Sequence, residues 1–273
     1  MGLLDWLKHG PSKPAAPRTV GLALGGGGVR GAAHLGVLEV LEREGIKPDL
    51  IVGTSAGAII GAGYASGLAV DEMLRVMRSL KWSDLTRLSL PGRLSVLDTT
   101  PLRRFVEDEV GGRDFADLDV PFAAVACDVL TGEAVVLREG SVAEAVTASS
   151  AVPGLFPPVE WRDRLLIDGG TVANLPVRVA RDLGADYVIA VDIVPDLTGD
   201  HRPHNVRDML LMTFDIRSRA TQAADEQAAD CLICPALAGS PPWDFSLVDE
   251  MEALGRAAAG EALPRLQAAL DGR

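Results

Sequence analysis

Ser55 stands in the pattern Gly53-Thr54-Ser55-Ala56-Gly57, between an apolar stretch and a segment of small residues. A serine nucleophile needs such neighbours because they allow a tight turn from strand to helix, which exposes the hydroxyl above the N-terminus of the helix. An ordinary glycine-rich turn is the alternative, since short patterns of this kind also arise by chance in a chain with 29 glycines. The pattern makes Ser55 a candidate nucleophile, with Gly53 and Gly57 as supporting residues.

A second candidate for chemistry is the glycine run at residues 25–31, Gly-Gly-Gly-Gly-Val-Arg-Gly. Backbone amides at the N-terminus of a helix, with no side chains in front of them, can stabilise an oxyanion or bind a phosphate. Gly26, Gly28 and Gly31 also fit the dinucleotide-binding fingerprint. That fingerprint expects an acidic residue at the end of the second strand, whereas Asp49 lies at the beginning of that strand. A purely structural glycine turn is the third interpretation.

The third candidate is Asp168, which ends a short apolar run and is followed by Gly169 and Gly170. A carboxylate at the end of one strand can reach the end of another. Asp128 and Asp192 also follow apolar runs, and exposure to solvent or capping of a turn is the simpler role for any of these aspartates. Uncharged segments on both sides favour Asp168, because they indicate the wall of a pocket.

Cysteines and histidines give weaker signals. Cys231 and Cys234 have the spacing of a redox pair or of half a zinc site, but no second pair accompanies them and the surrounding run is apolar. His201 and His204 lie in a polar stretch, where exposure to solvent is the simpler interpretation. Either histidine can still complete a triad in the chain order serine, aspartate, histidine. No metal or organic cofactor is indicated.

The elements that must position these residues follow from the apolar runs. Buried strands are predicted at 19–25, 50–53, 186–194 and 231–234. A helix is predicted from Val29 to Gly45, another from Ala56, and further helices over 205–229 and 247–270. Segments 121–129 and 133–139 flank a short turn, which predicts an antiparallel hairpin. We expect a single three-layer α/β/α domain over 18–273, with a mostly parallel central sheet, preceded by a flexible or interfacial segment at 1–17.

Composition excludes some functions. Lys and Arg total 26 against 38 for Asp and Glu, a net charge of -12, which disfavours nucleic acid and anionic membranes as partners. Three cysteines suit a reducing compartment, and the first ten residues lack the charge and length of a signal peptide, so we expect a cytoplasmic protein. Residues 50–70 carry no charge, but their glycines favour a buried strand, turn and helix over a membrane span.

The three patches together resemble the patatin-like phospholipase family, in particular its short bacterial members. GGGGVRG, GTSAG and DGG occur in the family's order, and the stretches SVAEAVTASSAVPGLFPPV and LLIDGGTVANLPV resemble the family's core. The resemblance covers roughly residues 18 to 235, and three ordered motifs are far more specific than one. It implies a patatin-like fold and a serine-dependent hydrolase of lipid or fatty-acyl esters.

The resemblance also implies roles for particular residues. Ser55 becomes the nucleophile, Asp168 the base that takes its proton directly, and the amides around Gly26, Gly27 and Gly28 the oxyanion donors. Arg30 and Gly31 support the glycine loop, and we expect Arg30 to tie that loop to a carboxylate. Many members have an acidic residue or serine before the glycine triplet, where this chain has Gly25.

Three alternatives remain open at this point. They are an ordinary esterase with a Ser-Asp-His triad, a nucleotide-binding α/β module, and a lipid-binding protein with a degenerate site. If the chain acts on lipids, the net charge favours transient peripheral membrane contact through apolar side chains. Residues 1–17 and the irregular segment from Trp82 to Thr100 are the candidate contacts.

Overall fold

A computed structural model describes residues 19–89, 95–196 and 202–270. Its strands are β1 Val20–Leu24, β2 Leu50–Thr54, β3 Arg87–Leu88, β4 Leu97–Asp98, β5 Phe122–Asp128, β6 Ala134–Leu137, β7 Val159–Trp161, β8 Arg164–Asp168, β9 Tyr187–Val191 and β10 Cys231–Ile233. Its α-helices are α1 Ala32–Arg43, α2 Ala56–Ala65, α3 Val70–Ser79, α4 Trp82–Leu85, α5 Thr100–Glu109, α6 Val142–Ser149, α7 Val177–Asp182, α8 Val206–Ala228 and α9 Val248–Leu270.

The central sheet has the strand order β10-β9-β1-β2-β5-β8-β7, and β6 also pairs with β5. The five strands from β10 to β5 run parallel to one another. Strands β6, β7 and β8 form antiparallel pairs. The prediction of a mostly parallel sheet is therefore confirmed, with its antiparallel part confined to one side.

Helices cover both faces of this sheet. Alternate strand residues belong to two apolar clusters, as the twofold period of a strand requires. One cluster joins Leu22, Ile51 and Ala124 to the helices α1, α2, α3, α6 and α9, and the other joins the opposite face to α7 and the end of α8. The three-layer α/β/α architecture expected from the sequence is thus confirmed.

The pairing around β5 brings two distant strands together. Val125 pairs with Thr54 of β2 and with β6, whereas the next residue, Ala126, pairs with Asp168 of β8 and with β6. Since β6 occupies one edge of β5, both β2 and β8 must lie along the other edge. The two strands run in opposite directions, so their C-terminal ends meet there, with Ser55 following one end and Asp168 at the other.

Most predicted elements are present, with some shifts. The helix expected from Val29 starts with a 3-10 turn, Gly28–Gly31, and becomes α-helical at Ala32. Part of the irregular segment from Trp82 to Thr100 forms α4 and the small hairpin β3–β4. Residues 1–17, and the division of the chain at that point, lie outside the described residues. Within the described ranges, no helix combines the length and the hydropathy that crossing a bilayer requires.

Candidate active site

Ser55 occupies a sharp turn between β2 and α2. Its positive φ of 52°, combined with a ψ of -117°, is a backbone conformation that a residue with a side chain adopts only under strain. A Cβ added to Gly53 would lie 2.3 Å from the Gly57 carbonyl oxygen, and one added to Gly57 would lie 2.1 Å from that of Leu24. The turn therefore requires glycine on both sides of the serine, as the predicted elbow does.

Ser149, at the end of α6, supports this turn. The Ser55 backbone amide donates to Ser149 Oγ at 2.9 Å, and the Ser149 hydroxyl donates to the Val125 carbonyl at 2.6 Å. The elbow is thereby attached to the middle of the sheet by a buried side chain. Sequence reasoning did not single out Ser149, although a pair of serines in an otherwise uncharged segment was the available signal.

Asp168 is completely buried beside Ser55. Its Oδ1 accepts from the Gly170 amide at 2.8 Å, while Oδ2 has no hydrogen bond within normal limits. Burial raises the pKa of this carboxyl from 3.8 to about 7, against the opposing effects of the nearby Ser55 hydroxyl and the Gly170 amide. The aspartate can therefore accept a proton near neutral pH, which a carboxylate with an ordinary pKa does poorly.

The glycines after Asp168 make this close approach possible. A Cβ added to Gly169 would lie 2.1 Å from the Val125 carbonyl oxygen, and one added to Gly170 would lie 2.6 Å from the Phe214 ring. A larger residue at 169 would therefore collide with β5, and one at 170 would collide with α8.

The glycine loop lies on the opposite side of Ser55 and corrects one expectation. The Gly26 amide donates to the Asn174 carbonyl at 3.2 Å, so it is engaged within the protein and is removed from the predicted set of oxyanion donors. The small size of Gly26 instead allows the loop to pass close to the nucleophile, because a Cβ added at this position would lie only 3.1 Å from Ser55 Cβ. Gly27 and Gly28 stand where the first amides of a helix have no internal partner.

Arg30 attaches this loop to α8. The guanidinium is buried, donates from Nε to the Ser240 carbonyl at 2.8 Å and contacts both carboxylate oxygens of Asp215 at 3.2 and 2.9 Å. Its charge is thus balanced by a partner that holds the loop in place. This geometry supports the structural role expected for Arg30.

Asn174 is a further residue that sequence reasoning missed. Besides its carbonyl, its side-chain Nδ2 donates to the Gly26 carbonyl at 3.3 Å, so the residue holds the glycine loop from both its main chain and its side chain. Its neighbour Gln222 donates to the buried Asp192 at 2.7 Å. Because Asn174 Nδ2 also donates to Gln222 Oε1, this network joins the loop to α8, and its signal in the sequence was the uncharged segment after Asp168, which contains Asn174.

The other candidate residues are occupied elsewhere. Asp192 pairs with Arg219 at 3.0 Å, and Asp128 accepts from the Leu130 amide at 3.0 Å. His204 is exposed near the start of α8, where its amide contacts Asp208, and His201 lies outside the described residues.

Cys231 and Cys234, which have the spacing of a redox pair, are not joined as a disulfide. Cys127 and Cys231 are buried and Cys234 is exposed, all three with free thiols. Although the residue has an exposed surface, its thiol is partly desolvated by the surrounding chain and lies near the Asp192 carboxylate, and both effects raise the pKa of Cys234 to about 11, which keeps the thiol protonated. In the described parts of the chain, no group of three or more histidines, cysteines and acidic residues is arranged to hold a metal ion.

A cavity of about 380 Å³ opens from Ser55 and the glycine loop. Its walls are mostly apolar, and they come from the helices α2, α3, α4, α5 and α8 and from the segment that follows α6. The lining residues include Ile59, Met73, Met77, Leu80, Trp82, Leu102, Phe105, Val152, Leu155, Phe156, Leu211 and Phe214. Such walls fit a hydrocarbon chain, since they offer it a dry surface and few polar partners. The amphipathic helices α3 and α5 contribute to this lining although no motif identified them.

The chain is thus an α/β protein with an apolar cavity at the C-terminal ends of its parallel strands, where open sheets of this kind bind ligands. The sequence profile of the patatin-like phospholipases matches residues 22–181. The chain belongs to this family.

Curated relatives agree with this assignment. An uncharacterised NTE family protein of Mycobacterium tuberculosis is 31% identical over 281 residues, which cover 91% of this chain and 47% of the relative. Patatin-like phospholipase domain-containing protein 6 of Mus musculus is 36% identical over 188 residues, which cover 64% of this chain and 13% of that protein. The chain therefore spans about half the length of the mycobacterial relative and a small part of the mouse protein.

Two solved structures share the fold. VipD from Legionella pneumophila superposes with a TM-score of 0.61 at 14% identity, over 91% of this chain and 67% of that one. ExoU from Pseudomonas aeruginosa, solved in complex with SpcU, gives a TM-score of 0.54 at 16% identity, over 94% of this chain and 54% of that one. At these identities the likeness concerns the fold alone.

Proposed function

We propose that this chain is a serine-dependent lipid acyl hydrolase, a phospholipase or esterase, that cleaves carboxylic esters with a dyad of Ser55 and Asp168. The observation that supports the proposal most is the burial of Asp168 beside the strained Ser55 turn, which raises the pKa of the carboxyl to about 7. We assign the hydrolase domain to residues 18–273 and treat 1–17 as a separate segment.

In the first half of the proposed reaction, Ser55 Oγ attacks the carbonyl carbon of the ester while Asp168 takes the hydroxyl proton. The negative charge that forms on the carbonyl oxygen is stabilised by the amides of Gly27 and Gly28, each contributing about 3 kcal/mol by analogy with measured oxyanion holes. Asp168 then gives its proton to the departing alcohol oxygen as the carbon–oxygen bond breaks. The acyl group remains on Ser55 as an ester.

Water completes the cycle. Asp168, ionised again, takes a proton from a water molecule that attacks the acyl carbon, and the same two amides stabilise the second tetrahedral intermediate. Collapse of this intermediate releases a carboxylic acid and returns the proton to Ser55. No histidine takes part, and the exposed position of His204 away from the cavity supports this scheme over a triad.

The apolar cavity supports a fatty-acyl substrate over a nucleotide. Backbone amides of the glycine loop can bind a phosphate, and a neighbouring cation would strengthen that binding. The Arg30 guanidinium in that loop is already paired with Asp215, and the walls beyond it are apolar.

The free thiols of Cys127, Cys231 and Cys234 fit action in the cytoplasm, where thiols stay reduced.

We further propose transient peripheral contact with a lipid surface. Leu88 and Val96 near the β3–β4 hairpin are 80% and 54% exposed, and Val206 and Met209 at the start of α8 are 74% and 54% exposed. Both regions also contribute residues to the cavity, so a bilayer touching them would lie beside its walls. Apolar side chains are suited to this contact because the net charge of -12 repels anionic lipids.

Vesicle assays test this contact. Leu88→Glu and Met209→Glu should reduce hydrolysis of phosphatidylcholine vesicles while leaving a soluble short-chain ester unaffected. Leu130→Glu is the matched control, since Leu130 is 77% exposed on the turn after β5 and does not line the cavity. Equal losses in all three variants would contradict the proposed surface.

Covalent labelling tests the activity itself. A fluorophosphonate probe should modify Ser55 alone, and Ser55→Ala and Asp168→Asn should each abolish ester hydrolysis. The double variant His201→Ala with His204→Ala should keep most of the rate. A loss above about a hundredfold in the folded double variant would favour the triad, because removing a general base costs at least that much. Dinucleotide binding without labelling would favour the nucleotide-binding module.

A further inference from the structure

His34 is a completely buried polar side chain in α1, among apolar neighbours. Its ring forms a hydrogen bond between Nε2 and the Gly25 carbonyl at 2.8 Å. Burial lowers the pKa of His34 to about 4, against the opposing effect of this bond, so the ring is neutral at neutral pH. Because a carbonyl can only accept, Nε2 carries the proton and donates it. Nδ1 is left as a buried acceptor without a partner among the described residues.

Packing alone does not explain a histidine at this position. A buried imidazole with one unsatisfied nitrogen is less favourable among apolar residues than an aliphatic side chain of similar size. In the described ranges, the hydrogen bond to Gly25 is the one polar contact that the ring makes. The reason for the histidine is therefore to be sought at the glycine that it holds.

Gly25 begins the run of four glycines that contains the proposed oxyanion donors. Its carbonyl and the Gly26 amide are the two ends of one planar trans peptide unit, so they point in opposite directions. The carbonyl accepts from His34 on α1, and the amide donates at 3.2 Å to the Asn174 carbonyl in the segment after β8. This peptide unit cannot rotate without breaking both hydrogen bonds.

The next peptide unit carries the first proposed donor, the Gly27 amide. The carbonyl at its other end, that of Gly26, accepts from Asn174 Nδ2 at 3.3 Å, so the Gly27 amide points away from Asn174. Glycine has the widest backbone freedom of any residue, so hydrogen bonds from outside the run must fix both units. Such fixing matters because oxyanion donors stabilise a transition state when they are aligned in advance.

We propose that His34 is a positioning residue for the oxyanion amides, whose Nε2–H fixes the peptide unit before the one that carries the Gly27 amide. The side chain does not line the cavity, so in this scheme it touches no substrate and transfers no proton. The inference rests on the proposed hydrolase activity and adds the residue on α1 that keeps the glycine loop aligned.

Substitutions at position 34 separate the hydrogen bond from the packing. Glutamine carries its Nε2 the same number of bonds from Cα as histidine does, whereas methionine has a similar length and no donor. His34→Met should lower kcat for a soluble short-chain ester by about 10- to 100-fold and change KM by less than about twofold, because alignment is lost and substrate binding is not. His34→Gln should keep kcat within about threefold of wild type.

Val40→Ala is the control for disturbance of α1. Val40 is completely buried in the same helix and does not line the cavity. The substitution should lower the Tm, because it leaves a small void, and should leave kcat and KM unchanged.

Two ketones report on the oxyanion amides directly. Ser55 Oγ adds to the carbonyl carbon of an octyl trifluoromethyl ketone while the serine proton passes to Asp168, and the resulting oxyanion occupies the position of the transition-state oxygen. Octyl methyl ketone has the same chain and forms no stable adduct. In His34→Met, the inhibition constant of the trifluoromethyl ketone should rise by the factor by which kcat falls, while that of the methyl ketone stays unchanged.

NMR of wild-type protein labelled at its histidine nitrogens checks the contact without a substitution, since the His34 proton should lie on Nε2 at neutral pH. A proton on Nδ1, an unchanged kcat in His34→Met, equal losses in the methionine and glutamine variants, or weaker binding of both ketones would each overturn the inference and leave the hydrolase proposal standing. A wild-type chain that hydrolyses no ester and forms no adduct with the trifluoromethyl ketone would instead refute the proposed function.

Discussion

Replacing Asp168 by asparagine should stabilise this protein, and the gain should depend on pH. Burial raises the pKa of the carboxyl from 3.8 to about 7, which at about 1.36 kcal/mol per unit amounts to roughly 4 kcal/mol. Because the folded-state pKa is the higher one, burial costs nothing while the unfolded chain is protonated, below about pH 4. The cost grows between about pH 4 and 7, as the unfolded chain ionises, and is constant above that range.

Asparagine removes the free-energy cost of burying a charge. It also keeps the local hydrogen bond, since its side-chain oxygen can still accept from the Gly170 amide. Relative to wild type, the free energy of unfolding of Asp168→Asn should be higher by about 1–2 kcal/mol at pH 5 and by about 4 kcal/mol at pH 8. Urea unfolding of both proteins at the two pH values measures this difference. All other titrating groups are shared by the two proteins and cancel.

A second buried aspartate provides the control. Asp225 pairs with Arg178 through both carboxylate oxygens, the closer contact of the guanidinium Nη2 being 3.0 Å. Asp225→Asn should therefore lower the free energy of unfolding, because the Arg178 pair is lost. If the gain of Asp168→Asn over wild type is the same at pH 5 and pH 8, or if that variant is less stable at pH 8, the raised pKa of Asp168 is refuted.

Three further outcomes are expected. The kcat/KM for a soluble ester should rise with pH and level off above about 7, because only ionised Asp168 acts as a base; a constant value from pH 5 to 8 would contradict the dyad. Ser149→Ala should lower kcat by roughly 10-fold or more with little change in KM, since Ser55 loses the acceptor of its amide; an unchanged kcat in steady-state assays would show that the elbow needs no such support. Arg30→Met should lower the free energy of unfolding by about 3–5 kcal/mol, because it leaves the Asp215 carboxylate unpaired. Adding Asp215→Leu should restore most of this loss. If denaturant unfolding shows that the double variant is no more stable than Arg30→Met, the stabilising role of the Arg30–Asp215 pair is refuted.

The sequence predicts the parallel part of the fold well because those strands are short apolar runs bounded by polar residues, glycine or proline. β1, β2, β9 and β10 all lie within runs of this kind, and each is largely buried. Their positions follow from local composition and from the alternation with helices. The candidate residues Ser55 and Asp168 could be identified from the sequence for the same reason, since each stands at the end of such a run.

Features that depend on contacts between residues far apart in the chain are not predicted by the sequence. Nothing local in β8 indicates that it pairs with the end of β5, and no pattern indicates that the Asn174 carbonyl engages the Gly26 amide. The support from Ser149 likewise joins residues far apart in sequence. The cavity walls were missed because the apolar faces of α3 and α5 resemble ordinary core-facing helices.

The shared edge of β5 has a consequence for how this architecture can diverge. Two consecutive residues, Val125 and Ala126, set the spacing between the strand ends that carry Ser55 and Asp168. Connections between these strands can therefore gain or lose whole segments without moving the reacting groups. An insertion between Val125 and Ala126 would instead shift one strand end against the other. Tolerance to insertion should accordingly be high in the loops that shape the cavity and absent at a single peptide bond of the sheet, so that new acyl or alcohol preferences can evolve around an unchanged reaction centre.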